Sequence, residues 1–182
     1  MTEADYQKYI ARFDWEGLAD LWRDIRLRLT SPNWASGKAF EYLILRAFEL
    51  NGAEVVWPFS VREGRGTIEQ IDGIIYVHGL AVICEAKDYD GDLNFEAIAR
   101  LKHKISRRPP GTVAACFASR GFTEEALLLT QKSSPQNVLL WYGSELGTAL
   151  LKEKISDDLL LKYRRMVEYA IPDFKTDAYA TI

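Results

Sequence analysis

The chain has 182 residues, 48% apolar and 27% charged, which suits one domain with a real core and is short for two. With 23 Lys/Arg against 26 Asp/Glu the net charge is −3, which excludes a globally basic nucleic-acid coat and leaves any such binding to a local patch. No apolar run approaches the roughly 20 residues of a membrane helix, and the opening MTEADYQKY has no signal-peptide core, so the expectation is a cytoplasmic protein without membrane contact.

The first 32 residues read as a helical extension. A short helix is predicted over residues 4–12 and a longer one over 14–29, where Trp15, Leu18, Trp22, Ile25 and Leu29 recur at three- and four-residue steps. This stripe either packs on the core or forms a dimer arm. A break follows at 30–33, around Pro32. The next helix runs from about 36 to 50 and stops at Asn51–Gly52, with Phe40, Leu43, Ile44, Ala47 and Leu50 inward. Glu41 has two readings: a favourable charge near the helix N-terminus, or an acid aimed at a site.

Residues 53–59 (AEVVWPF) form a strand ending at Pro58, and 61–67 (VREGRGT) read as a mobile turn. Two apolar runs, 74–77 and 80–84, then flank His78–Gly79, the pattern of a β-hairpin. In that register Val77 faces Leu80, Asp72 faces Glu85 and Gln70 faces Lys87. All four polar residues project from one face. Opposed side chains begin roughly 4.5–5.5 Å apart, and two like charges so placed repel, so the pair needs a cation.

The run DYDGD at 88–92 opens like a calcium loop, but Leu93 and Ala99 stand where Gly and Glu are required. A helix over 94–105 turns Phe95, Ile98, Leu101 and Ile105 inward. Arg100, Lys104, Arg107 and Arg108 form a basic edge suited to phosphate. The apolar run 112–118 and the strand 138–142 flank a helix capped by Thr123, and this strand–helix–strand spacing predicts a right-handed parallel crossover. A last helix is predicted over 157–170, with a loosely held tail from Ile171. Core and tail divide as 33–150 and 151–182. Cys84 and Cys116 lie in apolar strands without CxxC spacing and are expected to be buried thiols. There is no phosphate-binding Gly loop and no Gly-x-Ser-x-Gly elbow, and two histidines offer little for a histidine-based site.

Asp72 followed on the next strand by Glu85-Ala86-Lys87 resembles the PD-(D/E)XK nuclease superfamily, and within it the Mrr-like restriction endonucleases. The likeness also rests on 37–41 (GKAFE), 118–126 (ASRGFTEEA) and 139–146 (LLWYGSEL), and covers about residues 36–150. Two departures stand out: Ile71 replaces the usual Pro, and Glu85 stands where Mrr-like members typically carry Gln.

The resemblance implies an α/β fold with a restriction-endonuclease-like αβββαβ core, a mixed central sheet flanked by helices, and additional N- and C-terminal helices. It implies an Mg²⁺-dependent DNA endonuclease, with Mn²⁺ as substitute. Asp72, Glu85 and the Ala86 carbonyl would hold the ion, and Lys87 would orient or activate the attacking water. Gln70 would position Lys87 or phosphate, Glu41 would add an acid, and Arg100, Lys104, Arg107 and Arg108 would contact DNA. Two alternatives stay open: a non-catalytic nuclease-fold binding or assembly module, and a homodimeric resolvase.

Overall fold

The computed structural model describes residues 1–29, 33–64 and 66–179, so most of the predicted break at 30–33 lies outside the described residues, as does Arg65 of the predicted turn. Helices α1 (Glu3–Ile10) and α2 (Trp15–Arg26) begin at Thr2 and Asp14, whose side-chain oxygens accept otherwise orphaned helix N–H groups. The amphipathic stripe of α2 is core: Leu18, Leu21, Trp22 and Ile25 are buried. The helix packs on α3 (Lys38–Leu50) and α6 (Gly143–Leu151), and Trp22 stacks on Phe40 at 5.7 Å.

The sheet explains most of the remaining sequence. Strands β1 (Glu54–Val56), β4 (Gly73–Val77), β5 (Leu80–Lys87), β6 (Val113–Ala118) and β7 (Val138–Tyr142) lie in the order β1-β4-β5-β6-β7. The first two contacts are antiparallel and the last two parallel, which makes the sheet mixed. Parallel β6 is buried at every residue, as its uninterrupted apolar sequence requires.

One prediction fails here. The sequence 61–67 is not a mobile turn. β2 (Phe59–Glu63) and β3 (Gly66–Ile71) pair as a separate two-stranded ribbon. The stretch 66–77 therefore serves two sheets, changing partner at Asp72.

Helices α4 (Phe95–Ile105) and α5 (Glu124–Lys132) cover one face of the sheet, while α3, α6 and α7 (Ile155–Tyr169) cover the other. Side-chain alternation decides which face each residue serves. On β5, Val82, Cys84 and Ala86 join the cluster around α3, whereas Ile83 joins the cluster under α4. Glu85 and Lys87, in phase with Ile83, consequently emerge on the α4 side. Both cysteines are buried thiols, and burial pushes Cys116 up to about 12.

The tail is also tied down, contrary to expectation. Leu140 N–H donates to Pro172 O at 2.8 Å, and Thr176 N–H donates to the buried Glu145 carboxylate at 2.9 Å. Lys162, fully buried, pairs with Glu145 at 2.7 Å and donates to Leu140 O at 2.8 Å and to Phe174 O. A buried ammonium needs acceptors on every side, and residues 172–176 supply part of that shell. Among the described residues, no helix is long and apolar enough to cross a membrane.

Candidate active site

The β4–β5 hairpin places the acids. His78 and Gly79 both take positive φ, 51° and 77°, the conformation of a two-residue turn matched to strand twist. The ladder runs from Val77↔Leu80 to Gly73↔Cys84, in the register read from the sequence. Asp72 is the next residue outward. Gly73 has no Cβ because one there would lie 2.4 Å from Leu45 Cδ2, so α3 packs directly on the chain at the point where it turns. Asp72 Oδ2 accepts the Ala86 N–H at 3.0 Å, which fastens the departing chain to β5 beside Glu85.

The two carboxylates are buried and share their cations. Lys87 Nζ lies 2.6 Å from Glu85 Oε1 and 3.7 Å from Asp72 Oδ2. Lys104 Nζ, from the last turn of α4, lies 2.6 Å from Glu85 Oε2. Burial, reinforced by the neighbouring charge of Glu85, pushes the Asp72 carboxyl above its ordinary value despite Lys87. For Lys87, burial favours the neutral amine, but Asp72 and Glu85 outweigh it and hold the ammonium's pKa above its ordinary value.

Glu41 sits close enough for these charges to act on it. Burial and then the Asp72 charge raise its pKa, and Lys38, 2.7 Å away, works in the other direction. Glu41 lies in the first turn of α3, where its charge suits the helix N-terminus, and its ion-pair partner there is Lys38.

The donor set fits a hard divalent cation. Asp72 and Glu85 offer hard carboxylate oxygens side by side, and burial followed by the Glu85 charge raises the Asp72 carboxyl. Among the described residues no third Asp, Glu, His or Cys completes a group with them. The other positions would fall to a backbone carbonyl such as that of Ala86, or to water, the mixture Mg²⁺ favours.

Glu85 and Lys87 open into a cleft of about 890 Å³ between the β2–β3 ribbon and α4, whose lining also includes Gln70, Tyr89, Arg100, Lys104 and Arg107. Gln70 reaches this cleft, yet it is not the cross-strand partner of Lys87. Its partner is Ser60 on β2, because the ribbon has already left the main sheet.

The basic edge is likewise more engaged than a row of free cations. Arg100 pairs with Glu96 at 2.8 Å, and Arg107 and Arg108 each approach Glu69 at 2.5 Å. Glu69 was missed by sequence reasoning. Its signal was an acid in phase with the buried Ile71, a position that demands cations. The link from Lys104 to Glu85 had no such signal, since nothing in α4 alone shows which carboxylate it meets.

The profile of a family described as restriction endonuclease, Mrr_cat, matches residues 33–150, which is most of the chain and all of the residues just placed around the cleft. The chain belongs to the Mrr_cat restriction endonuclease family. No curated protein matches it. Among solved structures, the MspJI restriction endonuclease in complex with a 27-mer oligonucleotide is similar at 20% identity and a TM-score of 0.42. The match covers 86% of this chain but 36% of that one, so the present chain spans about a third of that protein's length. Helices α1 and α2 and the Arg28 that follows them precede the Mrr_cat match. α7 and the tail residues that bond Leu140 and Glu145 follow it.

Proposed function

We propose that the protein is a divalent-metal-dependent DNA endonuclease of restriction or repair type, with Mg²⁺ as the ion and Mn²⁺ as its substitute. One observation carries the reading: in a chain of the Mrr_cat family, Asp72 and Glu85 are fastened side by side with Lys87 between them, and Glu85 and Lys87 line an open cleft together with Arg100, Lys104 and Arg107. When bound, the metal supplies charge neutralisation on the phosphate and an acidified water.

The remaining work falls to the chain. Asp72 and Glu85 hold the ion. Lys87, within 2.6 Å of Glu85 and 3.7 Å of Asp72, orients or activates the attacking water and offsets charge building on the phosphoryl oxygens. Arg100 and Arg107 line the approach and contact flanking phosphates, and Gln70 takes a polar contact on the ribbon side.

The test is cleavage of duplex, single-stranded, branched and modified DNA in Mg²⁺ or Mn²⁺. The expected result is cleavage by the wild type, none in EDTA, and none by folded Asp72→Asn or Lys87→Met. Absence of cleavage on every substrate, together with salt-sensitive DNA binding indifferent to EDTA and to Asp72→Asn, would instead establish a non-catalytic binding module.

A further inference from the structure

We infer that Lys104 is an exchangeable counter-ion of the metal site: it neutralises Glu85 in the metal-free protein and is released to a substrate phosphate when Glu85 takes a divalent cation. The inference rests on the nuclease reading above. Its starting point is that both oxygens of a buried carboxylate are already taken, Oε1 by Lys87 and Oε2 by Lys104, each at 2.6 Å.

A cation such as Mg²⁺ needs one of those oxygens at roughly 2.0–2.1 Å, and an ammonium held at hydrogen-bond distance from the same carboxylate would repel it strongly in a partly buried site. One lysine must therefore yield. Lys87 has other holds on its position, with Asp72 Oδ2 at 3.7 Å and the Ala86 carbonyl at 3.4 Å, and it rises from the centre of the sheet. Among the described residues Lys104 hydrogen-bonds to Glu85, and its long stem comes from the last turn of α4 and lines the cleft. It is the lysine free to swing.

Charge balance points the same way. Without metal, Asp72 and Glu85 are matched by Lys87 and Lys104. A divalent cation leaves two positive charges in excess, the charge of one phosphodiester plus one hydroxide nucleophile. Lys104 thus links the two binding events: it opposes the metal while the cleft holds no DNA and favours the phosphate once the metal is in.

The experiment titrates MnCl₂ calorimetrically into the DNA-free full chain. Lys104→Met should bind Mn²⁺ about tenfold more tightly than wild type. Lys102→Met removes the same charge from the same helix where the side chain bonds Pro135 O at 2.6 Å, and it should stay within about twofold of wild type. In Ca²⁺, a DNA duplex should bind Lys104→Met more weakly than wild type. Mn²⁺ affinity unchanged or weakened in Lys104→Met, or tightened equally in Lys102→Met, overturns the inference. Should Lys104→Met fail to fold, Lys104→Gln replaces the charge with a neutral polar group and carries the same comparison. Equal Mn²⁺ binding by wild type and Asp72→Asn would instead overturn the nuclease reading itself.

Discussion

Arg28 donates to the carboxylate of Asp88, the residue that follows Lys87, across sixty positions of sequence. The same guanidinium reaches the Tyr89 carbonyl and Asp90, the latter at 2.6 Å. The residue just beyond the C-cap of α2, outside the family-matched span, therefore holds the turn by which the chain leaves the lysine and enters the cleft wall at Tyr89.

Arg28 adopts φ 56°, where a non-glycine residue is strained by roughly 1 kcal/mol. Arg28→Gly removes that strain along with partly exposed ion pairs worth about 0–1 kcal/mol, so thermal stability should stay nearly constant. Amide exchange at 88–90 should rise and cleavage should fall. Unchanged exchange in that turn would show that the contact does not organise it.

Asp72→Asn should stabilise the metal-free fold while ending cleavage. The Asp72 pKa is raised in the fold, so its favourable contribution exists below the ordinary 3.8 and is lost as pH rises through the folded value. At neutral pH the ionised group therefore costs stability, and the amide keeps an acceptor for Ala86 N–H. A higher melting temperature without metal is expected, with no further rise on adding Mn²⁺. Cleavage should fall by about a thousandfold or more, the equivalent of several kcal/mol of lost transition-state stabilisation.

Glu69 gives the opposite pH dependence. Burial raises its pKa, but bonds from Arg108 and Arg107 outweigh this and hold it below its ordinary value. Its contribution is present above 4.5 and lost as pH falls through the folded value. Glu69→Gln should cost about 1–3 kcal/mol at neutral pH and flatten the acid limb of a stability profile taken by urea unfolding.

Lys162→Met leaves Glu145 charged at the centre of the molecule and should cost about 3–5 kcal/mol. Removing residues 171–182 strips Lys162 of Phe174 O and Glu145 of Thr176 N–H, and should destabilise comparably by thermal melting. A truncated chain as stable as the full one would show that water replaces the tail.

The hairpin register was readable because its turn and its alternation agree: His78–Gly79 sets the pairing and the apolar runs confirm it. Thr123 was readable as a cap because capping is local, and its hydroxyl does accept the Ala126 N–H. The change of partner at Asp72 was not readable, since the hairpin register runs on unbroken from Val77 out to Gln70. At that point Gly73 stays paired with Cys84 and packs against Leu45 of α3, while Ile71 already pairs with Phe59. The same limit hid the Lys104–Glu85 contact and the buried Glu145–Lys162 pair, for each joins residues whose meeting depends on where a whole helix docks. Periodicity shows that a helix has an inner face but not which acid waits opposite its rim.

Because the ribbon and the main sheet meet at Asp72, the molecule is modular at that residue. The main-sheet register ends at Gly73, and the ribbon's pairing begins at Ile71 and closes on itself at Glu63–Gly66. Loops of other lengths and chemistries grafted at that tip would leave the carboxylate's anchorage to Ala86 untouched. The surface that meets a substrate is free to diversify while the ion-holding pair stays in register.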